Sequence, residues 1–388
     1  MDFELFWDAY QRRNVLDIFD DAMEIFSKPL PPAVVSEYNV EEVILEITGH
    51  HFKAKLFDKV DQFTQLIREV HPAYYEQTRG FIFMRLIDVY CYFKQGDQVK
   101  RALLDMAQTP DQQFDEFMLC IQKALYYGYT KDVVELCQQI YESIKASRKL
   151  IKGSEEDLAI YHIYHHLQGV FEAAKGQGKS VNWEEIATEL APYEFNQETE
   201  FLSLVQRGLF PDDERRLRDQ VPTLFRRDPE SALIVLQMCF LRYMLKRGFP
   251  FALSIEIWGS LMAHLQKQRQ SKRLQSLGSF FELELKPFRV YLSKKRGLVL
   301  DLRFKVALTL WGGYYLYDFL YQNELINHPS YQEAVGIVKS ESKRFMKKNQ
   351  GRYWAYDFVH RWGDSPDSVE SEAWQREEDQ FRSDLYVI

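Results

Sequence analysis

Several groups of residues in this chain have types and spacings that could do chemistry. His162 and His166 stand four apart, with His165 between them. On a helix that spacing puts two imidazoles on one face, where they can hold Zn²⁺ or Ni²⁺. Catalysis would need a third ligand and an open position. Asp157 and Glu172 lie too far along the same helix to supply it, and no Glu sits inside the pair. Solvent-facing or core-edge histidines account for the pattern more simply. Ala173–Ser180, "AAKGQGKS", has the spacing of a relaxed phosphate-binding loop, in which glycines let backbone N–H groups wrap phosphates and the lysine reaches them. Such a loop must follow a buried strand, but "LAIYHIYHHLQGVFE" before it has a helical period. Residues 175–180 therefore read as a flexible linker.

Asp20, Asp21 and Glu24 give the Asp-Asp-x-x-Glu spacing with which helical isoprenoid synthases hold Mg²⁺-diphosphate. Mg²⁺ needs octahedral oxygen ligands, and no second acidic motif appears that a facing helix could supply. A solvated carboxylate face is the simpler reading. No Gly-x-Ser-x-Gly elbow is present, and the four cysteines, Cys91, Cys120, Cys137 and Cys239, show no Cys-x-x-Cys spacing. Each lies in an apolar helical pattern, where a thiol behaves as a small hydrophobe in a reducing compartment. The sequence thus assigns no catalytic residue, no metal ligand and no cofactor.

Basic residues give a stronger lead. Lys267, Arg269, Lys272 and Arg273 form one cluster; Lys294, Lys295 and Arg296 form a second. Lys343, Arg344, Lys347, Lys348 and Arg352 form a third, which runs into the aromatic stretch around Trp354. Cations beside aromatics can contact phosphates and stack bases. They also cap helix C-termini, where the helix dipole favours them. The second and third clusters with Trp354 are the candidate partner-binding residues.

The net charge of −8 conceals a division: residues 1–240 carry −14, residues 241–352 carry +12 and residues 353–388 carry −6. A basic segment on this scale can meet an acidic partner. Residues 364–388 form an acidic, aromatic tail with too few apolar residues to build a core alone.

The elements that position these residues are helical. Phe114, Phe117, Met118, Ile121, Ala124 and Leu125 follow the i, i+3, i+4, i+7 pattern, as do Val133, Val134, Leu136, Cys137, Ile140 and Tyr141. Leu56, Phe57, Val60, Phe63, Ile67 and Val70 give a third stripe, and no alternating strand pattern bounded by turns appears. With 46% hydrophobic and 15% aromatic residues, the chain of 388 residues is folded and all-α. No basic-then-apolar leader is seen at its start. Its longest uncharged apolar stretches, Ser231–Leu241 and Val306–Tyr317, fall short of the ~20 residues that cross a bilayer. The expectation is a cytoplasmic protein without a membrane partner.

Short breaks at Gly49, His71-Pro72, Gly96-Asp97, Thr109-Pro110, Gly128, Gly248 to Pro250 and Asn327 to Pro329 imply antiparallel hairpins. Gly96 and Gly128 each separate an aromatic-ended helix from an amphipathic one. The layout around Tyr92, Gly96, Asp97, Ala102 and Pro110 resembles tetratricopeptide-type repeats over about residues 40–146, with Ala102 one residue late and Pro110 early for that pattern. The resemblance implies stacked helical hairpins, an α-solenoid, with a second helical module. The expected organisation is an N-terminal helix over 1–36, a hairpin module over 37–150 and a connector over 151–210. A basic helical module over 211–363 and the acidic tail complete it.

The expected function is a non-catalytic scaffold for a protein or peptide. A nucleic-acid-associated protein using residues 241–352 is the alternative, and a helical enzyme with a Mg²⁺ or nucleotide site comes third.

Overall fold

A computed structural model describes residues 2–177, 181–193, 199–211, 214–269, 276–294 and 303–349, with backbone alone at 177, 199, 200, 214–218 and 269. The described residues form nineteen α-helices and two 3-10 turns, with no strand among them, so the all-α expectation holds. None of the described helices is long and apolar enough to cross a membrane. Two compact units divide the chain, Met1–Ala124 and Leu125–Ile388.

The first unit holds α1 (Phe3–Arg12), α2 (Phe19–Phe26), α3 (Pro32–Glu37), α4 (Val40–Lys53), α5 (Phe57–Val70), α6 (Pro72–Tyr92) and α7 (Gly96–Met106). The boundary falls inside α8 (Phe114–Tyr126). The single helix expected over 1–36 is instead three. The Asn14 side chain accepts from the Leu16 amide and starts a 3-10 turn at Val15–Ile18. Pro31 and Pro32, which lack the N–H that would continue a ladder, separate α2 from α3.

Helix pairs α4–α5 and α6–α7 are hairpins, and α6 lies against α4 and α5 as well as α7. Contacts from α6 to the first-unit part of α8 advance in the same direction along both helices. Near the start of α8 the Gln113 side chain accepts from the Gly80 amide at 2.9 Å, and one turn from its end Lys123 reaches Asp88 at 2.7 Å. Helices α6 and α8 are thus parallel neighbours. Their approach is close at Gly80, where a Cβ would stand 2.6 Å from Gln113 Oε1 and 3.0 Å from Glu116 Cβ.

One turn design recurs through both units. After α4 the left-handed residue is Lys55 (φ 62°), after α6 it is Lys94 (φ 55°), and before α9 (Thr130–Ala146) it is Gly128 (φ 92°). The next amide then reaches back to close the helix end: Leu56 N–H bonds His51 C=O at 2.9 Å, and Gln95 N–H bonds Tyr90 C=O at 2.8 Å. This is the Schellman closure, which satisfies the last carbonyls of a helix. Two expected breaks need correction. Gly49 lies inside α4, packed where a Cβ would meet Arg85 at 3.0 Å, and Gly96 opens α7 and does not itself turn.

The second unit continues with α10 (Ser154–Gln177), α11 (Trp183–Leu190), α12 (Thr199–Leu209), α13 (Glu214–Arg227), α14 (Pro229–Lys246) and α15 (Phe251–Arg269). Then come α16 (Leu277–Phe281), α17 (Leu285–Lys294), α18 (Arg303–Gln322) and α19 (His328–Lys348). The turn recurs with Gly248 (φ 87°) between α14 and α15 and Glu324 (φ 58°) before α19. Its centre is α18, buried from Phe304 to Leu320 with the sole exception of half-buried Lys305, packed against α14, α15 and α19. Burying each large apolar side chain there is worth roughly 1.5–3 kcal/mol before entropy is counted. Gly312 lets α18 press on α15, since a Cβ there would fall 2.4 Å from Ile257 Cγ2.

Candidate partner-binding surfaces

The basic candidates meet at α17 and α19. Neither helix is held there by hydrophobic packing alone. Glu341, 4% exposed at its side chain, accepts from Arg289 Nε and Nη2 at 2.9 and 2.7 Å with one oxygen. Its other oxygen accepts from Arg344 Nη1 at 3.2 Å. This clamp ties α17 to α19 and fixes both guanidinium groups at the surface. A half-buried pair of this kind orients its members more than it stabilises the fold. Lys343, Lys347 and Lys348 are exposed around it on α19, and Lys294 is exposed in the last turn of α17. Lys347, Lys348 and Lys294 also sit where the dipole of each helix favours a cation. Lys295, Arg296, Arg352 and Trp354 lie outside the described residues, as do Lys272, Arg273 and residues 364–388.

The other candidates separate. On α10, His162 packs against Tyr193 with ring centroids 4.4 Å apart, and burial holds its imidazole below the ordinary value. His166 Nε2 stands 3.1 Å from Glu189 on α11, and His165 is exposed. No group of three or more metal-ligating side chains suited to an ion occurs among the described residues. Residues 173–177 of the phosphate-loop pattern continue α10 as helix, so Lys175, Gly176 and Gln177 are helical where a linker is expected; Gly178, Lys179 and Ser180 lie outside the described residues. Ala173, Ala174, Lys175 and Gln177 all favour a helix, which is the reason for the longer run. At α2, Asp20 and Asp21 occupy the first turn, where the dipole favours acids, and Asp21 is held by Arg13 at 2.8 Å. Cys91, Cys120 and Cys137 are buried free thiols. Burial pushes the Cys120 thiol up to about 12, far from the thiolate that a nucleophile needs.

Two arrangements escape a reading of the sequence. In the first unit Lys123, 2% exposed, donates to Asp88 and to the Met84 carbonyl. Arg79, also 2% exposed, donates to the Asp105 carbonyl at 2.7 Å and pairs with Glu76 at 2.9 Å. Tyr75 and Arg68 bind the Asp105 carboxylate beside it. The signal was present in α8, where Lys123 interrupts the apolar stripe of Cys120, Ile121 and Ala124. The second is a cleft of about 530 Å³ lined by Ser276, Ser279, Glu282, Tyr321, Asn327 and His328. The sequence marks part of it only as the break at Asn327 to Pro329.

Compared with models of known families, with curated proteins and with solved structures, the chain matches none.

Proposed function

We propose that this chain is a non-catalytic, cytoplasmic α-helical scaffold whose hairpins over about residues 40–146 stack in tetratricopeptide-like fashion and hold a protein or peptide. The observation that carries the reading is the parallel step from α6 to α8, with Gly80 at the close approach and a left-handed turn residue after each helix, Lys94 and Gly128. Neighbouring hairpins that repeat a step bury one face on each other and leave another for a partner. The free, buried thiols agree with a reducing compartment.

A second reading, a nucleic-acid-associated protein using residues 241–352, is favoured by the cations gathered around Glu341. Affinity purification of the tagged full chain from native extract, with and without nuclease, separates the two. The scaffold reading expects the same defined protein in both samples. Capture that disappears with nuclease supports the alternative.

A further inference from the structure

The charge of the basic face formed by α17 and α19 is one-sided. The ten residues of α17 contain no acid, and the twenty-one of α19 contain two, Glu333 and Glu341. Glu341 is committed to Arg289 and Arg344, so it arranges the cations without presenting an acceptor of its own to solvent. On the helical wheel Lys348, Arg344, Lys347 and Lys343 follow one another from the Glu341 edge to the outer face of α19. On α17, Val290 (47% exposed) stands beside Arg289, and Leu285 (39% exposed) begins the helix. Exposed apolar side chains next to a row of cations suit an occupant that is both acidic and aromatic.

The chain carries such a segment. Residues 364–388 hold eight acids against Arg376 and Arg382, interleaved with Trp374, Phe381 and Tyr386. Sixteen positions separate Lys348, the last residue of α19, from Asp364. Extended, they reach about 54 Å, whereas α19 is only about 32 Å long at 1.5 Å per residue. The segment can therefore return along the whole helix. A tether of that length gives an effective concentration on the order of millimolar, enough to occupy a surface whose affinity in trans would be weak.

We propose that the acidic segment 364–388 docks on the basic face formed by α17 and α19 of its own chain. Its carboxylates meet Lys294, Lys343, Lys347 and Lys348, with Arg289 and Arg344 held ready by Glu341, and its aromatic side chains cover Val290. Nucleic acid and other acidic partners then compete with the segment for the same cations. This assignment stands apart from the scaffold reading, which concerns the hairpins of residues 40–146.

Zero-length carbodiimide cross-linking of the full-length chain, followed by peptide mass spectrometry, tests it. Amide bonds are expected between acids of 364–388 and Lys294, Lys343, Lys347 or Lys348, at a yield independent of protein concentration. Mixing isotopically light and heavy chains should give only unmixed cross-links. The variant Glu377→Gln/Glu378→Gln/Asp379→Asn, in the full chain, should lower that yield and bind heparin about tenfold more tightly at low salt. Cross-links from the segment to other lysines alone, mixed-isotope cross-links, or unchanged heparin affinity in the variant would each overturn the proposal.

Discussion

The two units solve the problem of a helical interior differently. The first buries charge: Lys123, Arg79, Asp88 and Asp105 are each 5% exposed or less. They find one another and backbone carbonyls across α6, α7 and α8. The second is organised by shape, around a helix whose Trp311, Tyr315 and Leu316 are fully enclosed and whose glycines admit the neighbouring helices. Buried ion pairs return little net stability, because desolvation offsets the attraction, but they penalise any arrangement that separates the partners. Close-packed apolar contacts return more and discriminate by volume. In the hairpin unit polar pairing across α6, α7 and α8 fixes helix register; in the second unit fit around α18 does most of that work, with the Glu341 clamp between α17 and α19 as its polar counterpart.

Removing one partner of a buried pair should have the largest effect. Asp88→Ala leaves the Lys123 ammonium enclosed without its carboxylate and should lower unfolding free energy by about 3–5 kcal/mol. Adding Lys123→Met should recover most of that loss, measured by urea denaturation of the full chain. If the double variant is no better than the single one, charge pairing does not distinguish this unit.

In the second unit Gly312→Ala should cost about 1–3 kcal/mol by overpacking Ile257. Gly259→Ala, whose Cβ would meet nothing within 4 Å, should be neutral or gain up to about 1 kcal/mol from helix propensity. Equal effects at the two glycines would remove the argument from shape.

The turns give a smaller contrast. Gly128→Val should cost about 1–2 kcal/mol, because φ of 92° is strained for a β-branched residue. Lys94→Gly should stabilise by less than about 1 kcal/mol, since its lysine already bears part of that strain. A destabilised Lys94→Gly, seen as a lower thermal midpoint, would show that its side chain matters more than its backbone.

The mildest effect concerns pH, to which two histidines of the first unit and His162 of the second contribute with the same sign. Burial holds His51 and His71 below the ordinary imidazole value of 6.5, with His71 Nε2 bonded to the Phe26 carbonyl. A depressed imidazole binds protons more readily unfolded than folded. Stability is therefore full above pH 6.5 and falls as pH drops through and below that value. Urea midpoints taken between about pH 7.5 and 5.5 should decline with acid, and His71→Gln should flatten the decline. A midpoint independent of pH over that range would contradict the assignment.

Much of the helical framework is legible in the sequence because apolar periodicity survives any tertiary context. Val133, Val134, Leu136, Cys137, Ile140 and Tyr141 are all buried where their spacing puts them, and Gly128 has the left-handed backbone that a glycine after an aromatic helix end suggests. Other turns are not legible. Lys55, Lys94 and Glu324 take the same conformation with side chains that do not advertise it, because closing the helix end outweighs a modest local strain. For the same reason Gly49 and Gly96 mislead: one serves helix packing and the other opens a helix. Of the candidate surface, the cation runs are plain in the sequence. The acid that organises them is not, because Glu341 becomes a clamp only when Arg289, 52 positions earlier, is brought beside it.

The measurement that bears most directly on the scaffold assignment is hydrogen–deuterium exchange of the full chain with and without its captured partner. Slower exchange is expected along the hairpins of residues 40–146, in nuclease-treated samples as in untreated ones. Protection confined to residues 241–352 and lost on nuclease treatment would contradict the scaffold and make the basic face the working surface.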